Sequence, residues 1–278
     1  MDSRDSGCAL PRAILLRPPP PLRGSPPPLG ADRRMTEAQP KKSDLGVRVA
    51  SALVMVTVAG TALWLGWWVW TAFVVLVASI CLAEFVRLIW LATANWAVRA
   101  LSMLGALVYV GLPGFMLSGI RHSWLHDERG LLGLVSVLTV LGIVVSTDIG
   151  AYFAGRTIGG PKIAPSISPS KTWAGLFGGM VAAAIWGLIA LRLFVWAADV
   201  EVLRQGFELF MIYLNAALSA AVLAVVAQFG DFFESWLKRR AGVKDSSNLI
   251  PGHGGVFDRV DGLLPVVLVS DIFRVRPF

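Results

Sequence analysis

A chain of 278 residues that is 55% hydrophobic and only 15% charged, with a mean hydropathy of +0.66, falls outside the usual balance of a water-soluble globular protein. Its formal charge of +7 raises nucleic acid as a partner. The basic residues, however, sit in short segments between apolar runs, with no basic stripe or aromatic-basic module, so the expectation is no nucleic acid. Cys8 lies in a polar tail and Cys81 in an apolar run, which supports neither a disulfide framework nor a thiolate metal site.

The chain opens on a segment in which PRAILLRPPPPLRGSPPP, Pro11 to Pro28, favours extended or disordered backbone, because proline removes amide donors and resists helix. The apolar patch from Ala13 to Leu16 is too short for the core of a signal peptide. Residues 1–44 are therefore read as a proline-rich, disordered extension, with Met35 as an alternative start that N-terminal sequencing of the mature protein would test. Residues 45–278 form the membrane domain. Apolar runs predict spans over Val47–Leu63, Trp67–Leu91, Ala97–Leu117, Leu131–Tyr152, Trp173–Trp196, Leu209–Phe229 and Gly262–Phe273. The fold class is an all-α polytopic membrane protein of seven helices. The short last run and the long second one leave a re-entrant piece or an eighth helix open.

Alternate crossings put Lys41, Lys42, Arg48, Arg99, Arg156, Lys162, Lys171 and the stretch Lys238 to Lys244 on one side, which the positive-inside rule makes cytoplasmic. The opposite loops, around His122 to Gly130 and Asp199 to Glu208, carry acids beside fewer bases. The tryptophans cluster near the ends of spans, as an aromatic belt does.

Polar residues concentrate in QFGDFFESWLKRRAGVKDSSNLIPGHGGVFDRVDG, from Gln228 to Gly262. If the sixth helix runs on, Asp231, Ser235 and Lys238 stand at i, i+4 and i+7 on one face. PGHGG, Pro251 to Gly255, exposes backbone amides suited to phosphate oxygens. Asp258 and Asp261 are one helical turn apart, and hard carboxylates at that spacing suit Mg²⁺.

This stretch resembles the signature of phosphatidate cytidylyltransferases at Ser235, Lys238, Arg239, Lys244, Asp245, His253, Gly254, Gly255, Asp258, Arg259 and Asp261. An upstream segment, STDIGAYFAGRTIGGPKIAPSISPSKTWAGLFGG, resembles the family's second polar region. The likeness covers most of the chain after Met35 and is weak in the early spans, while LLPVVLVSDIFRVRPF departs from the expected close. It implies transfer of a cytidylyl group from CTP to phosphatidate, with pyrophosphate as leaving group, by a homodimer. The composition fits a bacterial inner membrane, with an organelle membrane left open, and the charge pattern puts the site on the cytoplasmic side. Under the resemblance, Asp231, Asp258 and Asp261 hold Mg²⁺, with a further metal ion or K⁺ left open, and Lys238 joins them in catalysis. Ser235, Arg239, Lys244, Asp245, His253, Gly254, Gly255, Arg259, Asp148, Ser168, Ser170, Lys171 and Thr172 bind substrate or phosphate.

Plainer readings stand beside these. Asp231, Asp258 and Asp261 can be solvated helix-end or turn carboxylates, and Lys238, Arg239 and Lys244 a topological charge cluster. Arg259 can be an ion-pair partner, His253 a structural hydrogen bond in a glycine loop, and Ser168 to Thr172 an N-cap with its lead-in. Two rival functions are a CTP-using lipid-alcohol kinase of the dolichol-kinase type, which would release CDP, and a transporter using Asp148 and Asp231, for which no inverted repeat is visible.

Overall fold

The computed structural model describes residues 45–122, 130–199 and 206–270, all within the unit Ser43–Phe278. The proline-rich extension with Cys8, Lys41 and Lys42, residues 123–129 and 200–205, and residues 271–278 lie outside the described residues.

Helix α1 (Leu45–Leu65) stops at Gly66, whose φ of 61° turns the chain into α2 (Trp67–Ala92). Asn95 caps the next helix, its Oδ1 accepting from the amides of Ala97 at 3.0 Å and Val98 at 3.4 Å. That helix is α3 (Trp96–Ala106), and a π-helical turn, Leu107–Gly111, carries it into α4 (Leu112–His122). The wide turn comes just before Pro113, whose ring removes the amide that would close an α-turn onto Tyr109. Then follow α5 (Leu131–Thr157), strands β1 (Lys162–Ala164) and β2 (Ser168–Thr172), α6 (Trp173–Ala198), α7 (Phe207–Arg240), α8 (Phe257–Val260) and α9 (Leu263–Ser270).

Among the described residues six helices are long and apolar enough to cross a membrane: α1, α2, the continuous α3 to α4, α5, α6 and α7. Their outward faces stay apolar, with Val56 71%, Leu101 73% and Phe115 78% exposed. A protein in water rarely shows such continuous apolar surface, and lipid removes the penalty. Within the seventh predicted span, Gly262–Phe273, the described helix is α9, whose eight residues rise only about 12 Å, so the expected count of seven is not reached among the described residues. The all-helical expectation holds, apart from the small antiparallel hairpin β1–β2, paired Lys162 to Thr172 and Ala164 to Ser168.

α5 and α6 pack most closely because small residues face each other across them. A Cβ built on Gly150 would lie 2.5 Å from the Gly178 carbonyl oxygen and 2.6 Å from Ala182 Cβ. Two apolar clusters fill the interior. One includes Trp70, Val137, Ile143, Ala183, Leu223 and Val266; the other, beneath the polar segments, includes Phe85, Leu88, Val110, Leu237 and Phe257. Phe257 is fully buried, edge-on to Phe85 at 5.3 Å, and anchors α8.

Candidate active site

Several acids lie inside helices rather than at their tips. Glu84, Asp148 and Asp231 stand about 12–14 Å along the axis from the ends of α2, α5 and α7, all on the side that carries the basic residues. Glu84 is buried, Asp231 half-buried and Asp148 exposed; acids at this depth in an apolar stretch call for partners, and the polar segments supply them to Glu84 and Asp231.

The first segment is the hairpin between α5 and α6. Gly159 and Gly160, at φ 68° and 96°, turn the chain after α5, and the Trp173 amide donates to the Pro161 carbonyl to close the hairpin. Thr172 caps α6, its Oγ1 accepting from the Gly175 amide at 3.1 Å. These contacts aim Lys171 across to α7, where its Nζ pairs with Asp231 Oδ2 and donates to Gln228 Oε1 at 3.1 Å. Residues sixty apart in sequence thus meet at a cleft of about 490 Å³, lined by Asp148, Tyr152, Arg156, Ser170, Thr172 and Gln228 with the ion pair. Arg156 Nη1 donates to the Tyr152 hydroxyl at 2.7 Å.

The second segment follows α7. Gly242, at φ 69°, ends the helix, and the loop returns through the bridge Ile250 to Gly254. Asp258 clamps this loop. Its Oδ1 accepts from Lys238 Nζ at 3.0 Å and the Ser246 amide at 3.2 Å, and its Oδ2 from the amides of Ser246 at 3.1 Å and Gly255 at 2.8 Å. Burial opposes its charged form, yet the neighbouring Glu234 carboxyl, the Gly255 amide and Lys238 outweigh burial and hold Asp258 low, at about 2. Lys238 also pairs with Glu234 at 2.7 Å along its own helix.

Asp261 also faces α7, nearer to Asp231. Gly230 is pressed on the Asp261 carbonyl and Pro265, so a side chain there has no room, and a Cβ on Gly262 would lie 3.0 Å from Asp231 Oδ1. Burial, then the charge of Asp231, push Asp261 up to about 7. Glu234 Oε1 is buried with no hydrogen-bond partner.

Among the described residues no three His, Cys, Asp or Glu side chains are grouped to hold a metal ion. Asp258 has both oxygens engaged in this arrangement. Asp231 Oδ1 and the Asp261 carboxyl lie close together and keep acceptor capacity. Mg²⁺ characteristically takes one or two carboxylates together with substrate phosphates and water, so this donor set fits Mg²⁺ carried by a nucleotide rather than an all-protein cage.

Of the predicted residues, Asp148, Ser170, Lys171, Thr172 and Asp231 meet at the cleft, while Ser168 is buried in β2 behind it. Lys238 and Asp258 form the adjoining clamp, with Gly254 and Gly255 in its loop. Gly255 has no space for a side chain, since a Cβ would lie 2.7 Å from Glu84 Oε2. His253 Nδ1 is 2.8 Å from Ser51 Oγ of α1, and Arg259 donates to the His253 carbonyl at 2.6 Å rather than pairing with an acid. Ser235 is half-buried on α7; Arg239, Lys244 and Asp245 are exposed. Sequence reasoning missed Glu84, Arg87, Gln228 and Glu234. A lone carboxylate inside an apolar run was the available sign for Glu84.

Comparison with known proteins adds to this geometry. The model of the cytidylyltransferase family matches residues 90–275. The phosphatidate cytidylyltransferase of Brucella suis is 41% identical over 167 residues, 60% of this chain and 54% of that protein. That of Haemophilus influenzae is 42% identical over 156 residues, 56% and 50% of the two chains. That of Rickettsia bellii is 31% identical over 228 residues, 81% of this chain and 88% of its own. The matched part spans about half the length of the Brucella and Haemophilus proteins.

Proposed function

Because this chain belongs to the cytidylyltransferase family, we propose that it transfers the cytidylyl group of CTP to phosphatidate, giving CDP-diacylglycerol and pyrophosphate. The observation that carries this reading is the Lys171 to Asp231 ion pair, which joins the two polar segments around one cleft. Relatives named phosphatidate cytidylyltransferase support the choice of substrates.

In the reaction an anionic phosphate oxygen of phosphatidate forms a bond to the α-phosphorus of CTP as the bond to the β-phosphate oxygen breaks. The attacker is already ionised at neutral pH, so alignment and charge neutralisation outweigh general-base catalysis. Lys171, steadied by Asp231 and Gln228, presents an ammonium to the phosphates, with Arg156 on the same wall. Lys238, steadied by Glu234 and Asp258, presents a second one beside the glycine loop. Asp231 and Asp261 would hold Mg²⁺ arriving with the nucleotide, and that ion supplies neutralisation of charge on the triphosphate.

Phosphatidate stays in the leaflet while CTP comes from water, so the reading puts the cleft at the cytoplasmic surface of a bacterial inner membrane. The positive charge of that side supports this orientation. A homodimer belongs to the same reading through the resemblance alone, and light scattering of the detergent-solubilised protein checks it. The test of the chemistry supplies phosphatidate and Mg²⁺ with CTP labelled at the α- or γ-phosphate. The expected result is α-label in lipid and γ-label in pyrophosphate. γ-Label in lipid would replace this reading with phosphoryl transfer.

A further inference from the structure

Most of helix α2, Glu84 included, lies ahead of the segment that matches the family model, which begins at residue 90, yet it reaches into the clamp. Glu84 is 6% exposed and accepts four hydrogen bonds, all from the loop after α7. Its Oε1 takes Ser247 Oγ at 2.5 Å and the Val256 amide at 3.1 Å. Its Oε2 takes Ser246 Oγ at 3.1 Å and the Phe257 amide at 2.7 Å. Arg87, one turn on, donates to the Ser246 carbonyl at 2.6 Å.

The same residues are gripped from the opposite side. Ser246 gives its hydroxyl to Glu84 and its amide to Asp258, while the amides of residues 255, 256 and 257 go in turn to Asp258, Glu84 and Glu84. Two carboxylates from separate elements therefore fix one loop, and Asp258 passes that order on to Lys238. A carboxylate accepting several N–H and O–H donors in a buried place is costly to replace, because each released donor loses its partner.

We propose that Glu84 is a positioning residue: through the 246–257 loop it sets the orientation of Asp258 and so the placement of Lys238 for the reaction. The inference rests on the proposed cytidylyl transfer for its kinetic readout and stands apart from it in its structural one. In Glu84→Gln one of the two accepting oxygens becomes an NH₂ group, so donors face a donor with little change in side-chain size.

The experiment compares wild type, Glu84→Gln, Asp258→Asn, the double variant and Ser247→Ala in detergent, each normalised to folded protein. Glu84→Gln is expected to lower kcat about tenfold or more with KM for CTP changed by less than about threefold, because the groups it positions act on transition-state charge. The double variant is expected to be no slower than Asp258→Asn, since both act through one clamp. Ser247→Ala, which removes one donor, is expected to fall between wild type and Glu84→Gln and remains informative if Glu84→Gln does not fold. Hydrogen exchange of residues 246–258 is expected to accelerate in Glu84→Gln and, to a smaller degree, in Ser247→Ala, with α5 and α6 unchanged. A kcat within about twofold of wild type in folded Glu84→Gln, or kinetic losses in the double variant that multiply, would overturn the inference. Unchanged loop exchange would overturn it too, even in an active enzyme. An inactive but folded wild type would overturn the proposed function instead, leaving hydrogen exchange to decide this inference.

Discussion

Asp258 and Asp261 are three residues apart and do different work. Asp258 spends both oxygens on Lys238 and two amides, whereas Asp261 shares its surroundings with Asp231. Two predictions separate them. Asp258→Asn should lower stability by about 1–3 kcal/mol, because an amide group faces a donor where an oxygen accepted. The folded pKa of Asp258, about 2, lies below the ordinary carboxylate value. Its contribution is therefore present above about pH 4 and lost as pH falls toward 2. The gap in Tm between wild type and Asp258→Asn, read by thermal unfolding in detergent, should narrow over that range; a constant gap would contradict the clamp. Secondly, Asp231→Asn and Asp261→Asn should each raise the Mg²⁺ concentration for half-maximal turnover at least about tenfold, with Asp258→Asn shifting it far less. Equal shifts in all three, measured by Mg²⁺ titration of the rate, would return Asp258 to the metal.

At the scale of elements, the close approach of α5 and α6 holds the hairpin that carries Lys171. Gly178→Ala puts a methyl against Ala154 and the Gly150 carbonyl and should cost about 1–3 kcal/mol. Gly105→Ala, in open space on α3, should be neutral or slightly stabilising. Melting of the two variants checks the contrast. The helices were legible in the sequence because each contains a predominantly apolar run of membrane length, and the predicted bounds of α2, Trp67–Leu91, differ from the observed Trp67–Ala92 by one residue. The apolar run placed the end of the sixth span at Phe229 and left its continuation conditional; α7 runs on to Arg240, which puts Asp231, Ser235 and Lys238 on one helix. The hairpin was not: KIA and SPSKT are too short and proline-broken to read as strands, and they pair because α5 and α6 fix their ends. The partnership of Lys171 with Asp231 was likewise hidden, since local sequence carries no sign of which distant carboxylate an ammonium meets. Glu84 escaped for a related reason: its four donors lie more than 160 residues away.

For the whole molecule, the polar segments and the acids of α2, α5 and α7 gather at one end, and orientation decides whether that end meets CTP. With Cys8 replaced by serine and Cys81 buried, single cysteines report the sidedness. Asn248→Cys, exposed near the clamp, should react with a membrane-impermeant maleimide only after spheroplasts are lysed, and Phe207→Cys, 74% exposed at the far end of α7, should react before lysis. The opposite pattern would put the site outside the cytoplasm. The central claim, that cytidylyl transfer takes place at the cleft joined by Lys171 and Asp231, is tested most directly by α-labelled CTP, phosphatidate and Mg²⁺ with folded wild type and folded Asp231→Asn. The account predicts labelled lipid with equimolar pyrophosphate from wild type and at least about a hundredfold less from Asp231→Asn. Labelled lipid formed at the same rate by both proteins, or none from folded wild type, would contradict it.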